Sequence, residues 1–180
     1  AWGDNQEGKC NIPDVDGSRF VKVYAGNHNN VAILEDGSCV GWGFNGWGQC
    51  DIPDVGGRKF VQVSAGAFHN LAILEDGSAV AWGSNAYGQC DIPYTSGRTF
   101  AKVSAGGYHN VAILEKGSCI AWGHNECGQC VIPDTSGWIF VQVFAGEFHN
   151  VAILYDGSAI RWGANGFGQN NIPDTQGRKF

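Results

Sequence analysis

No methionine occurs in this chain of 180 residues, and all five prolines follow isoleucine at matching places, as Ile12-Pro13, Ile52-Pro53, Ile92-Pro93, Ile132-Pro133 and Ile172-Pro173. Without a methionine the chain shows no translation start, so a leader peptide is neither read from it nor excluded. Charge is sparse as well: 16% of residues are charged, against about a quarter in an average domain. The balance is acidic, a formal -6 with eleven Lys and Arg. Nucleic-acid phosphates call for a basic stripe, so no nucleic-acid partner is expected. No run of 18 apolar residues exists, so no transmembrane helix and no membrane partner are expected. Asn-x-Ser/Thr sequons are missing too, and N-glycosylation is not expected.

The seven cysteines are an odd number and cannot all pair within one chain. Cys10, Cys50, Cys90 and Cys130 share one place in a repeating frame, where Asn170 stands in the last copy. Cys39 and Cys119 share another place with Ala79 and Ala159. Cys39 with Cys50, and Cys119 with Cys130, can face each other across a hairpin, but Cys90 has only Ala79 opposite. Residues that exchange with Ala and Asn behave as small half-buried fillers. Reduced thiols fit this pattern better than disulfides and lean towards a cytoplasmic setting.

What the chain has in abundance is repetition. Trp2, Trp42, Trp82, Trp122 and Trp162 each open the frame Trp-Gly-x-Asn-x-x-Gly, spaced 40 residues apart without insertion. A fixed period of this size marks a supersecondary unit that is copied and stacked. Residues 21–60 show the unit. Val21 to Gly26 alternates and predicts a first strand. Asn30 to Leu34 is continuously apolar, as in a strand buried on both faces. Asp36-Gly37 signals a tight hairpin with positive φ at both turn positions. Ser38 to Trp42 is the third strand. Gln49 to Ile52 is a short fourth strand, ended by Pro53 at an exposed edge.

Four short antiparallel strands per repeat predict an all-β fold, a β-propeller of four-stranded blades. Residues 1–20 form a half blade of outer strands, followed by blades at 21–60, 61–100, 101–140 and 141–180, about four and a half in all. An open ring exposes unpaired edges and apolar blade faces. The chain is therefore expected either to belong to a larger ring or to self-associate into one.

Two stretches carry a family resemblance: Trp82-Gly-Ser-Asn-Ala-Tyr-Gly-Gln89 and Ala65-Gly-Ala-Phe-His69-Asn-Leu-Ala-Ile-Leu-Glu-Asp-Gly77. They resemble the repeat of the regulator of chromosome condensation family, and the likeness runs through essentially the whole chain. The short period and Gln-Cys-Asp-Ile-Pro are similar to compact bacterial versions, among them a secreted propeller that inhibits β-lactamases. The resemblance implies more blades than this chain holds, and partner proteins bound through loops on a propeller face.

The letters fixed in every copy read as scaffold, with the tryptophans packing between blades and Asn45 bonding its own turn. His69, His109 and His149 recur singly, one per blade, which does not suit a converging metal site. Cys127-Gly-Gln-Cys130 is a lone Cys-x-x-Cys with no second pair. Glu35-Asp36 and Glu75-Asp76 are solvated turn residues rather than an acid/base pair. No nucleophile elbow or phosphate-cradling loop is present. No catalytic residue, metal or cofactor is assigned, and an enzyme is not expected. The basic residues before the repeated Phe (Arg19, Arg58, Lys59, Arg98, Arg178, Lys179) fall on the face of the Glu-Asp-Gly turns.

The residues that differ between matching copies are the candidates for a binding site. The Ala-Gly-x-x-His and Asn-x-x-Gly turns share one end of the blades. The variable residues there are His28, Trp47, Phe68, Tyr87, Tyr108, Glu147, Phe148 and Phe167, with His124 nearby. Exposed aromatics of this kind suit a protein-binding hot spot, although Phe68, Tyr108 and Phe148 equally suit plugs between blades. The expected function is a non-catalytic protein-interaction propeller. The alternatives are guanine-nucleotide exchange on a Ran-type GTPase, inhibition of a secreted enzyme, and carbohydrate binding. Exchange by the family's namesake uses an inserted wedge, and no copy here departs from the 40-residue frame.

Overall fold

Each repeat folds as a three-stranded antiparallel sheet. The computed structural model describes residues 1–134 and 137–171. Its strands are β1 (Phe20–Ala25), β2 (Asn29–Leu34), β3 (Cys39–Gly43), β4 (Phe60–Ala65), β5 (His69–Leu74), β6 (Ala79–Gly83), β7 (Phe100–Ala105), β8 (His109–Leu114), β9 (Cys119–Gly123), β10 (Phe140–Ala145), β11 (His149–Leu154) and β12 (Ala159–Gly163). They form four sheets in simple chain order, β1-β2-β3 through β10-β11-β12. Each first strand carries a bulge at the same place, between Phe60 and Gln62 in the second copy. The first three predicted strands of the blade thus stand within a residue of those observed, and the fold is an all-β propeller built from repeated blades.

The expected fourth strand at Gln49 to Ile52 is a turn instead, as are its counterparts among the described residues. Its amides are already in use. Cys50 N donates to Asn45 Oδ1, Asp51 N to the Gly48 carbonyl and Ile52 N to the Cys50 carbonyl. Pro53 has no amide hydrogen to offer, so nothing remains for a ladder. The hairpin turn differs from expectation too. Gly37 has φ 86°, but among the four hairpin turns that follow the middle strands only Lys116-Gly117 takes positive φ at both residues. Gly37 N donates to the Leu34 carbonyl and Leu34 N to the Ser38 carbonyl. This is the three-residue hairpin that ends in a left-handed glycine. The Asp36 carboxylate steadies it by accepting from Ser38 N at 2.8 Å and from Ser38 Oγ at 2.7 Å.

The core lies between sheets, not within them. Val31 and Ile33 of β2 pack forward on Phe60, Val63, Leu74 and Trp82 of the next blade. Leu71 and Ile73 repeat this against Phe100, Val103, Leu114 and Trp122, and Val111 and Ile113 against Phe140, Val143, Leu154 and Trp162. The last four residues of each middle strand are apolar because each of its faces meets a different neighbour. Every such side chain fully removed from water contributes about 1.5–3 kcal/mol. The first sheet lacks this cover on one side. Phe20 is 37% exposed where Phe60 is 5% exposed, and Val23 stands in solvent where Val63 is buried.

The first-strand ends approach closely. A Cβ on Gly66 would lie 2.5 Å from the Gly106 carbonyl oxygen, so only glycine allows the blades to converge there. Ala25-Gly26, Ala65-Gly66, Ala105-Gly106 and Ala145-Gly146 line one shared depression where the four first strands meet.

Candidate partner-binding face

The loop between blades is held by one buried carbonyl. Gln49 is fully buried, and its main-chain oxygen accepts from Asn70 Nδ2 at 2.8 Å and Trp82 Nε1 at 3.0 Å, both on the following blade. Gln89 receives Asn110 and Trp122 in the same way, Gln129 receives Asn150 and Trp162, and Lys9 receives Asn30 and Trp42. The repeated Trp therefore locks adjacent blades by its indole N–H as well as by packing, Trp82 sharing a core with Val31 and Ile33 of the preceding blade, while within its own blade Phe60 meets it edge-on at 6.2 Å.

The Gln side chain points the other way. Its Oε1 accepts the amide of the variable residue two positions earlier: Trp47 N at 2.9 Å, Tyr87 N at 2.8 Å, Cys127 N at 2.9 Å and Phe167 N at 2.9 Å. A rigid scaffold thus fixes the backbone beneath each variable side chain. This role of glutamine escaped the sequence reading. Its recurrence at 49, 89, 129 and 169 was the available signal, but four identical residues alone do not say what they bond.

The histidines form a second seam. His69 Nε2 donates to Asn110 Oδ1 at 2.8 Å, and His109 Nε2 to Asn150 Oδ1 at 2.8 Å. Because each Asn amide group is committed to a Gln carbonyl, its oxygen is free to accept, which sets the histidine tautomer. Asn29 holds the same place in the first blade and donates to Asn70 Oδ1 at 3.0 Å. Burial drives the His69 pKa down to about 4, opposed by the Asn110 bond and aided by His109. His109 is also lowered, chiefly by burial. Nδ1 of both rings is buried with no hydrogen-bond partner. These histidines are neutral interblade ties.

The thiols are scaffold as well. All seven cysteines are free. Cys90 Sγ donates to the Ser84 carbonyl at 3.3 Å and Cys130 Sγ to the His124 carbonyl at 3.3 Å. Asn170 Nδ2 donates to the equivalent Ala164 carbonyl at 2.9 Å, which explains why Asn substitutes for Cys. Burial pushes the thiols of Cys39 and Cys119 up to about 12 and that of Cys130 up to about 11. Cys90 also rises to about 11, by burial and then by the Asp91 charge. Among the described residues, no three His, Cys, Asp or Glu side chains gather as a metal site.

The variable residues of the two turn types do meet at one end of the blades. His28 stacks on Phe68 with centroids 5.1 Å apart, and Phe68 stacks on Tyr108 at 4.8 Å. Tyr87 meets Tyr108 edge-on at 5.3 Å and His124 at 4.6 Å, and His124 reaches Phe148 at 6.3 Å. Phe68, Tyr108 and Phe148 are half-buried, filling the seams while leaving ring surface open. Tyr87 is 50% exposed, Trp47 59% and Phe167 99%. Trp47 makes no ring contact among the described residues. Phe167 lines an apolar cleft with Glu147, Phe148 and Cys127. Phe44 and His124, at the third position of the Trp-Gly frame, join the ribbon through His28 and Tyr87.

The opposite face is charged and internally paired. Arg58 Nη1 bonds Asp76 Oδ2 at 3.2 Å and Ser78 Oγ at 3.1 Å, and Arg98 reaches Ser118 Oγ at 3.1 Å. Its basic residues brace the Asp-Gly hairpins. Arg178 and Lys179 lie outside the described residues, as does the last Ile172-Pro173.

Repeated antiparallel blades locked by Trp, Asn and Gln define a β-propeller of tandem repeats. The regulator of chromosome condensation (RCC1) repeat matches residues 60–89, 100–129 and 140–169. The chain belongs to this family. Each match runs from the Phe at the bulge to the repeated Gln, and in the first two, at Gln89 and Gln129, that carbonyl docks the next blade. Among solved structures, the chain is similar to the ectodomain of the receptor kinase CR4 from Physcomitrella patens, with TM-score 0.76, 23% identity and 96% of this chain against 48% of that one. Human WBSCR16 gives TM-score 0.76 at 18% identity over 88% of this chain and 52% of that one. Prp20p from Saccharomyces cerevisiae, whose structure is described with its binding properties to Gsp1p and histones, gives 0.72 at 21% over 89% and 47%. The chain spans about half the length of these structures, and at such identities they show the fold alone. No curated protein matches it.

Proposed function

We propose that this chain is a non-catalytic interaction module that binds a protein partner through its aromatic face. The observation that carries this is the continuous ribbon His28–Phe68–Tyr108–Tyr87–His124–Phe148 on a scaffold whose loop amides are fixed by buried glutamines. Preorganised aromatics lose little conformational freedom on binding, which is why they recur as hot spots. Trp47, Tyr87, Glu147 and Phe167 supply the outermost contacts, and His28, Phe68, Tyr108 and Phe148 the floor. His69, His109 and the thiols of Cys90 and Cys130 are spent on the scaffold, which supports a non-catalytic role. Among similar structures, Prp20p is described with its binding to Gsp1p and histones, and yeast RCC1 is described bound to Kap60. Those findings support protein binding by the fold. Exchange on a Ran-type GTPase is disfavoured here by the unbroken 40-residue frame.

The test is affinity capture with the wild-type chain and with Trp47→Ala/Tyr87→Ala/Phe167→Ala. These three side chains are exposed, so their removal leaves the blades intact. Partners retained by the wild type are expected to be lost by the triple variant. Recovery of the same proteins by both ends the proposal.

The uncovered face of β1 supports a second reading, that the chain self-associates or packs within a larger ring. Phe20 and Val23 offer there the side chains that other blades bury, as Phe60 and Val63. Sedimentation of the 180-residue chain is expected to show association that Val21→Lys/Val23→Lys reduces. A monodisperse monomer would sink this reading.

A further inference from the structure

We infer that the aromatic face is built for a basic partner segment, an extended stretch bearing lysine or arginine side chains. The inference rests on the aromatic-face reading and adds the chemistry of the partner. Its ground is an asymmetry of charge between the two ends of the blades. The turns of the aromatic end carry four carboxylates, Asp4, Glu7, Glu126 and Glu147, and a single cation, Lys9. That cation is already occupied, since Lys9 Nζ lies 2.8 Å from Asp4 Oδ2 and 3.6 Å from Glu7 Oε2. No arginine stands among these turns. At the opposite end the signs are mixed and paired, as Arg58 with Asp76 at 3.2 Å and Arg19 with Glu35 at 3.9 Å.

The carboxylates also flank the ring surface. Glu7 Oε2 holds His28 Nδ1 at 3.1 Å at one end of the ribbon, and Glu126 Oε2 holds His124 Nε2 at 3.3 Å, one ring short of the other end. Between them lie ring-to-ring steps of 5.1 Å (His28 to Phe68), 4.8 Å (Phe68 to Tyr108) and 6.4 Å (Tyr108 to His124). An extended segment of about five residues covers such a path at its ordinary rise. Glu147 sits beside the cleft formed with Phe148 and Phe167, where it faces an apolar wall. The exposed rings of Trp47, Tyr87 and Phe167, with carboxylates on turns at the same end, attract cations twice. The ring quadrupole draws an ammonium or guanidinium over its face, and the carboxylate pairs with it at the edge. The same surface repels an acidic segment and offers little to a neutral polar one. Complementary charge of this kind steers encounter and fixes the partner's register.

The probes are fluorescein-labelled octapeptides of alternating Gly-Lys, Gly-Arg, Gly-Glu and Gly-Ser, titrated with the full chain at low salt and followed by anisotropy. The Lys and Arg peptides are expected to bind, and the Glu and Ser peptides not. Charge reversal at Glu126→Lys/Glu147→Lys is expected to weaken binding at least tenfold. The equal reversal on the opposite face, Glu35→Lys/Glu75→Lys, separates a site from net charge and should change affinity less than twofold. The inference is overturned if the Ser or Glu peptide binds as well as the basic ones, if both reversals act alike, or if no basic peptide binds. When the basic peptides fail while the Trp47/Tyr87/Phe167 variant still loses its captured protein, the charge inference falls and the aromatic-face reading stands. When the basic peptides bind at the carboxylates but that variant captures as well as wild type, the reverse holds.

Discussion

Phe20 and Phe60 occupy the same place in consecutive copies, sit at the same bulge and each meet the tryptophan of their own blade, Trp42 and Trp82, yet one is exposed and the other buried. The difference is what stands on the far side. Phe60 is covered by Val31 and Ile33 of the blade before it, whereas β1 has no described blade preceding it. Near-identical sequences thus differ in burial because a propeller makes its core between units. The first blade reports what the repeat can do with one neighbour, and the second what it does with two.

The sharpest way to break the comparison is a matched pair of truncations. Phe60→Ala is expected to cost about 3–5 kcal/mol, as for a buried aromatic, and Phe20→Ala about 2–3 kcal/mol in proportion to its smaller buried area. Urea denaturation of the two variants measures both, and equal losses would refute the neighbour argument.

Acid should separate the blades next. His69 is depressed from 6.5 to about 4 in the folded state, so between these values the unfolded chain holds the extra proton. Stability is complete above the unfolded value, falls as pH drops through the window, and is fully reduced below about 4. The loss from this ring is on the order of 3 kcal/mol. The first blade has Asn29 there and nothing to titrate, so His69→Asn should flatten the pH dependence while keeping a bond to Asn110. Melting temperatures from pH 7 to pH 4 decide this, and an unchanged slope in the variant would count against the buried ring as the cause.

Smaller effects follow at the asparagine seam. Asn110→Ala strands His69 Nε2 and removes one donor from the Gln89 carbonyl, for about 1–3 kcal/mol. Asn30→Ala loses only the bond to Lys9 in a half-buried site, for about 0.5–1 kcal/mol. Chemical denaturation should rank them in that order. Smallest of all is Cys90→Asn, which installs the pair of carbonyl contacts that Asn170 already makes. A change within about 0.5 kcal/mol is expected, and a larger one in the same assay would show that the thiol does more than donate.

Much of this was legible before any coordinates. The positions of three strands in each blade followed from alternation, an apolar run and Asp-Gly turns. The sharing of one end by Phe68, Tyr108 and Tyr87 followed from the order of the turns. The fourth strand was not legible, because Gln49 to Ile52 has strand-like composition while its amides are claimed by Asn45 and Gly48. The hairpin type was missed for a similar reason. Asp36 works through its carboxylate on Ser38 rather than through a left-handed backbone.

The repeat, its period and its alternation are local properties, and by themselves they determined that this chain is a propeller of RCC1-type blades whose variable letters cluster in two turns. Only the tertiary structure decided what those letters do. Whether a Phe is core or surface, whether a His is a neutral tie or a ligand, and whether rings join into one ribbon depend on groups some 40 residues away in the next copy. A sequence records each blade once, whereas contact, burial and charge asymmetry arise between blades.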